Sequence, residues 1–338
     1  MGSSTRYRGF GIASFVAWIV LVASSAPADL PDAATILGDF GYSAAEIDTL
    51  ESGKIVQSTI KAGTSRELVG AFAFFVKVPP AELVKDLKAG LLASVDANQL
   101  SRGVISGDGS LADFAKLELE PKTEERVEEY LEADDDLNLS AEEAAALKAL
   151  AAAGNKSTEA VEAQVRASLL ARYQAYRTKG LAGIAPYARD GGKVRSVADE
   201  LAAANVGAVS LKKYVPAFHA ALSGYPAAKP AGFDEGFAWT QFDAHGEPTI
   251  ALVHGMFMPD GDGFVAIQRQ FYVSEGFNCE QAVAGFLPVS GGTLVVYSNR
   301  TSTDQVEGTG GSFKRSIGSK LLSSELQGIF AKLQGAAK

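Results

Sequence analysis

The stretch Phe233–Leu333 constrains the fold most, because it reads as a run of antiparallel strands closed by one long amphipathic helix. In Thr249–Met258, Ile250, Leu252, Met256 and Met258 share one side, with His254 among them. In Gly263–Val273, Val265, Ile267, Phe271 and Val273 share one side, with Arg269 in the middle of the row. Between the two lies Pro259-Asp260-Gly261-Asp262-Gly263, a strong turn sequence. A turn centred between Gly261 and Asp262 sets Met258 opposite Val265, Met256 opposite Ile267, His254 opposite Arg269 and Leu252 opposite Phe271. Apolar residues meet apolar residues in that register, and a slip of one position would break every pair. The same register sets an imidazole beside a guanidinium on an otherwise apolar face. Phe233–Phe242, with Phe237 and Trp239 on one side, and Thr293–Thr301 extend the sheet. Gly308-Thr309-Gly310-Gly311-Ser312 then breaks the pattern and offers Ser312 as a helix N-cap. Phe313, Ile317, Leu321, Leu326, Phe330 and Leu333 follow at helical spacing, a stripe expected to lie on a sheet or another helix.

Upstream, Ser43 with Glu46 forms a capping box that opens a short helix. Two strands follow at Lys54–Lys61 and Arg66–Val78, the second dense in Phe72, Phe74 and Phe75. Pro79-Pro80 ends it and starts a helix to Gly90. Val104–Ile105 and Phe114–Leu119 read as short strands around Gly107-Asp108-Gly109. From Pro121 to Ser223 the pattern is helical: Lys122–Glu132, a helix capped by Ser140 with Glu143, a long one at Ser157–Lys179, then Val197–Ala204 and Leu211–Leu222. The order strands–helix, helical block, strands–helix fits a sheet-forming unit interrupted by an insertion. The first two strands and their helix are too small to bury themselves alone.

The N-terminus reads as an export signal. Arg6 and Arg8 precede an apolar run from Ile12 to Val22, and Ala26-Pro27-Ala28 supplies a cleavage sequence. Cleavage after Ala28 removes two arginines and no acids, so 31 basic and 40 acidic residues become 29 and 40, a balance of −11. An acidic export product is a poor nucleic-acid binder, and no other stretch is long enough to stay inserted in a bilayer. The expected location is therefore periplasmic or extracellular. The one cysteine, Cys279, makes no internal disulfide and reads as a small buried apolar residue.

The corner Val76-Lys77-Val78-Pro79-Pro80, running into Ala81-Glu82-Leu83-Val84-Lys85-Asp86-Leu87, resembles the opening of the START/SRPBCC helix-grip superfamily. The closing meander and the helix at Ser312–Leu333 are similar to that superfamily's end. The resemblance covers about half of the mature chain at the level of fold. It implies an α+β domain whose antiparallel curved sheet wraps a long C-terminal helix; the order of elements assigns that domain to residues 29–120 and 226–338, and the all-helical block at 121–225, which a minimal helix-grip domain lacks, is an insertion. It also implies a cavity for an apolar ligand such as a lipid, sterol or polyketide, and it carries over no catalytic residue.

Two cations on an apolar face are costly unless something supplies acceptors or negative charge. His254 and Arg269 are thus candidates to hold the polar end of a ligand, with Met256, Phe271 and Trp239 lining its apolar part. Buried protein groups satisfying the pair are the competing account. Lys314 and Arg315, in the first turn of the last helix, offer a second anion site. Asp134-x-Asp136-x-Asn138-x-Ser140 imitates a calcium loop, but its sixth position is Leu139 and its twelfth Ala145, so no metal is assigned. No cofactor is assigned either. The expected function is an exported soluble protein that binds a hydrophobic small molecule or lipid, with His254 and Arg269 at its polar end. Two alternatives are an enzyme on an apolar substrate with His254 as general base, and an accessory protein that docks a partner through the helical block.

Overall fold

The computed structural model describes residues 33–337, apart from 59, 135, 228, 245 and 308–310. The residues expected to form an export signal lie outside them, as does most of the glycine-rich entry to the last helix. In chain order the strands are β1 (Val56–Ser58), β2 (Glu67–Val76), β3 (Gln99–Ile105), β4 (Tyr187–Arg189), β5 (Lys193–Arg195), β6 (Asp234–Ala244), β7 (Glu247–Asp260), β8 (Gly263–Val273), β9 (Cys279–Val289) and β10 (Gly292–Ser302). The helices are α1 (Ala33–Asp39), α2 (Ala44–Glu51), α3 (Pro80–Lys88), α4 (Leu91–Val95), α5 (Glu124–Glu132), α6 (Ala141–Ala152), α7 (Thr158–Lys179), α8 (Val197–Gly207), α9 (Val209–Tyr214), α10 (Pro216–Ser223) and α11 (Gly311–Ala336).

Eight strands make one antiparallel sheet in the order β1-β2-β10-β9-β8-β7-β6-β3, and β4 pairs with β5 in a separate hairpin. Strands from before and after the helical block therefore share the sheet. β2 adds to one side through β10, and β3 adds to the other through β6. The hairpin β7–β8 has the expected pairs His254–Arg269, Met256–Ile267 and Met258–Val265. Leu252, however, faces Tyr272 rather than Phe271, because a bulge between Leu252 and Val253 leaves Phe271 without a partner across the ladder.

Alternation gives the sheet two covered faces. His254, Arg269, Met256, Ile267 and Trp239 point to the first, where the helical block packs: Tyr173 and Tyr176 of α7, Leu201 of α8, and Leu211, Phe218 and Leu222 of α9 and α10. Phe72, Phe74, Val295, Phe286 and Ala266 point to the second, against Leu83 and Val84 of α3 and Phe330 and Leu333 of α11. Phe330 stacks on Phe74 at 4.7 Å and meets Phe72 edge-on at 5.6 Å. α11 also spans toward the far edge, since Asn98, beside β3, donates to Glu325 at 2.7 Å. The last helix thus touches the strands at one edge and the approach to β3 at the other, as it does when a curved sheet grips its helix.

Capping follows the sequence closely. Ser43–Glu46 and Ser140–Glu143 are reciprocal capping boxes, Ser157 caps α7 and Pro80 begins α3. Several expectations are corrected. Phe114–Leu119 is not a strand; Leu111–Phe114 is a single 3-10 turn whose Phe114 is buried, with Leu117 and Leu119, under the block. Leu211–Leu222 is two helices, because Pro216 cannot donate into a continuous one. α11 starts at Gly311, so Ser312 lies in its first turn and not before it. Its apolar stripe is only half covered: Phe330 and Leu333 are buried, while Phe313, Ile317 and Leu321 are 71%, 44% and 59% exposed.

Candidate functional site

His254 and Arg269 lie side by side, as the register requires, and both are fully buried. The helical block covers them, not α11, which packs on the opposite face; this corrects the expected enclosure of the pair by the last helix. Tyr176 of α7 bridges the two. Its hydroxyl lies 3.0 Å from His254 Nδ1 and accepts from an Arg269 guanidinium nitrogen at 3.1 Å. The other His254 nitrogen, Nε2, lies 3.2 Å from Glu235 Oε2. A carboxylate only accepts, so Nε2 carries the imidazole proton and Nδ1 accepts from the tyrosine. Arg269 also donates to Asn205 Oδ1 of α8 at 2.8 Å and to Gln281 Oε1 of β9 through Nε and Nη2, at 3.0 and 2.8 Å. The relay runs Arg269 to Tyr176 to His254 to Glu235, and Lys229 closes it on the carboxylate at 2.6 Å.

Aromatic rings fill the space around this relay. Phe237 stacks on the His254 imidazole at 4.2 Å, and Tyr176 stacks on Phe271 at 4.0 Å. Burial pushes the His254 pKa down to about 4, against a smaller upward pull from Glu235, so the ring is neutral at neutral pH. Burial alone would raise the Glu235 carboxyl, but its bonds to His254 and Lys229 outweigh that and hold it below the usual range. The guanidinium and imidazole are therefore satisfied by protein groups, and Met256, Phe271 and Trp239 are packed interior residues. Trp239 Nε1 donates to the Asp113 carbonyl at 2.8 Å. Lys314 and Arg315 do not join the pair: they sit on α11, where Arg315 donates to the Ser65 carbonyl at 2.7 Å. Cys279 is buried near Glu200, and burial pushes its thiol well above the ordinary value, as for an inert packing residue. Asp134 Oδ1 accepts from the Asp136 amide at 2.9 Å, a local turn. An open depression of about 440 Å³ lies between Leu100, Lys116, Glu118, Gln241 and Pro248, and none of the expected site residues lines it.

The second face carries what the sequence reading missed. Gln270 of β8, Glu280 of β9 and Asn299 and Thr301 of β10 form a polar island there. Gln270 Nε2 donates to Glu280 Oε1 at 3.3 Å, and Thr301 Oγ1 lies 3.2 Å from Glu280 Oε2 and 2.8 Å from Asn299 Oδ1. Gln270 is only 8% exposed, and its Oε1 finds no donor among the described residues. Burial raises the Glu280 carboxyl above its usual range, with Glu325 of α11 adding to the rise. No ion pair reaches Glu280 among the described residues; its partners are the neutral groups of Gln270, Thr301 and Asn299, so it is a carboxyl group without a cation. Around it, Val253, Gly255, Phe257, Gln268 and Ala284 are only half-buried although they face the helix-covered side. A Cβ added at Gly255 would meet nothing closer than 3.6 Å, and one at Gly236, its partner across the ladder, nothing within 4 Å. The signal was present in β9, whose two faces alternate Cys279, Gln281, Val283 with Glu280, Ala282, Ala284; polar groups on both faces hid the strand.

Comparison with known protein families, with curated proteins and with solved structures returns no match. The fold defines the class of protein: an α+β domain with an eight-stranded antiparallel sheet, a long C-terminal helix on one face and a helical block on the other.

Proposed function

We propose that this chain is an exported binding protein for an apolar small molecule, held between the second face of the sheet and α11. The observation that carries it is the Gln270–Glu280 island: an unsatisfied buried acceptor and a carboxyl with no cation beside it, amid half-buried apolar residues. Buried polar groups normally find partners, and a ligand that donates hydrogen bonds supplies one here. The helix-grip resemblance supports the same side of the sheet, where α11 meets both edges. The polar end of the ligand belongs at Glu280 and Gln270, since the donors of Arg269 and both nitrogens of His254 are engaged by protein groups. Those engagements also leave His254 no free nitrogen for general-base catalysis.

The test is Gly255→Phe, which fills the space where an added side chain meets only ordinary contacts. With a fluorescent fatty-chain probe, the unaltered mature chain is expected to bind, and the variant to bind at least about tenfold more weakly with an unchanged unfolding midpoint. A probe that binds both proteins equally, or neither, overturns the proposal.

A further inference from the structure

The first half of α11 carries a feature that its packing on the sheet does not explain. Phe313, Ile317 and Leu321 recur every four residues and are 71%, 44% and 59% exposed, so they form a continuous apolar stripe on the outer side of the helix. Gly318 and Ser319 lie on the inner side: Gly318 sits against Leu68, and the Ser319 hydroxyl accepts from the Val69 amide at 3.3 Å. Lys314 and Lys320 are exposed beside the stripe. From Gly311 to Ser324 the sequence has three basic residues, Lys314, Arg315 and Lys320, and no acidic one, a local balance of +3 in a chain whose formal charge is −9. The first acid after it is Glu325, tied to Asn98. Beyond Leu321 the stripe turns inward, and Leu326, Phe330 and Leu333 pack on the second face.

We infer that this half-helix is a docking surface for an anionic lipid bilayer, with Phe313, Ile317 and Leu321 entering the headgroup–acyl boundary and Lys314 and Lys320 on lipid phosphates. An apolar stripe flanked by lysines is the arrangement that lies in an interface plane. The helix rests there without spanning, since no helix among the described residues is long and apolar enough to cross a membrane. Charge chooses this occupant over a protein partner: the +3 segment stands apart from the acidic remainder, and anionic lipid attracts the one while repelling the other. The docking stands independently of what the sheet binds.

Vesicle co-sedimentation of the mature chain tests it, with phosphatidylcholine alone and with about one-third phosphatidylglycerol added. Two double variants, Phe313→Ser with Leu321→Ser and Lys314→Glu with Lys320→Glu, leave Arg315 and the buried side of α11 untouched. The unaltered chain is expected to sediment with the anionic vesicles and to be released by salt. Each variant is expected to bind at least about fivefold more weakly with an unchanged unfolding midpoint. No sedimentation above the vesicle-free control, or variants that sediment like the parent, overturns the inference. So does a stable dimer in solution that the serine variant dissolves, because the stripe then meets a second copy of the chain.

Discussion

Acid should loosen the sheet–block interface through His254 before it affects most of the surface. In the folded chain the imidazole is fully buried and its pKa is pushed down to about 4, against 6.5 for the ordinary group. The unfolded chain therefore binds a proton across a window of roughly 2.5 pH units in which the folded chain does not. Stability from the neutral ring is fully present above pH 6.5 and is lost as the pH falls toward 4. At about 1.4 kcal/mol per pH unit the loss is about 3 kcal/mol, a large part of the stability of an ordinary domain. Urea unfolding of the chain and of its His254→Gln variant at several pH values between 7 and 4.5 measures it, because glutamine takes up no proton while the other titrating groups stay the same. The parent is expected to lose about 2–3 kcal/mol more than the variant over that range, whatever their difference at pH 7. Parallel curves would mean that the ring is charged or solvated in the folded chain, and the relay through Tyr176 and Glu235 would fall with it.

Glu280→Gln should raise stability at neutral pH. Its raised folded pKa makes the carboxyl's contribution full below its unfolded value and lost as the pH rises through the folded one, so an uncharged isostere gains where the parent pays for a buried charge; an unfolding midpoint that drops at pH 7 refutes this. Phe330→Ala should cost about 3–5 kcal/mol in urea unfolding, because it removes the ring packed on Phe72, Phe74 and Tyr297; a loss under about 1 kcal/mol would mean that α11 is not held on the sheet. Asn205→Leu should cost about 1.5–3 kcal/mol by removing an acceptor from a buried guanidinium, and a neutral result would place Arg269 in solvent. Expression of the full chain in a bacterial host with an export pathway should yield a product that begins at Asp29, read by intact mass; a product that retains residues 1–28 in that setting refutes the leader.

What the sequence made legible was local and periodic. The register of β7–β8 followed from apolar matching across a Pro-Asp-Gly-Asp-Gly turn, and three of the four named pairs are present. It failed at Leu252 because a bulge inserts one residue into β8 beyond Gln270, and nothing in an alternating pattern marks where alternation stops. The capping boxes were legible because a serine hydroxyl and a glutamate three positions on satisfy backbone groups without any help from the rest of the fold. β9 was not, since a strand buried on both faces need not alternate in polarity. The partners of His254 and Arg269 were not legible either: Tyr176 and Asn205 are remote in sequence and come from two different helices. Tyr176 falls on the buried stripe of α7 with Val161, Val165, Leu169 and Tyr173, as helical spacing requires, but only tertiary structure shows that its hydroxyl ends between an imidazole and a guanidinium.

That difference bears on which side of the sheet has work to do. A sequence pattern finds unusual side chains on an apolar face, and both faces have them: His254 and Arg269 on one, Gln270 and Glu280 on the other. Partners separate the two. On the first face the helical block supplies the Tyr176 hydroxyl and the Asn205 amide oxygen, and the sheet itself supplies the Gln281 amide oxygen and the Glu235 carboxylate, so the polar groups there join block to sheet. On the second face α11 supplies no cation to Glu280 and, among the described residues, nothing donates to Gln270 Oε1. Each face keeps one buried amide atom without a partner among the described residues, Gln281 Nε2 on the first and Gln270 Oε1 on the second, so what sets the second face apart is a buried carboxyl, Glu280, with no cation beside it.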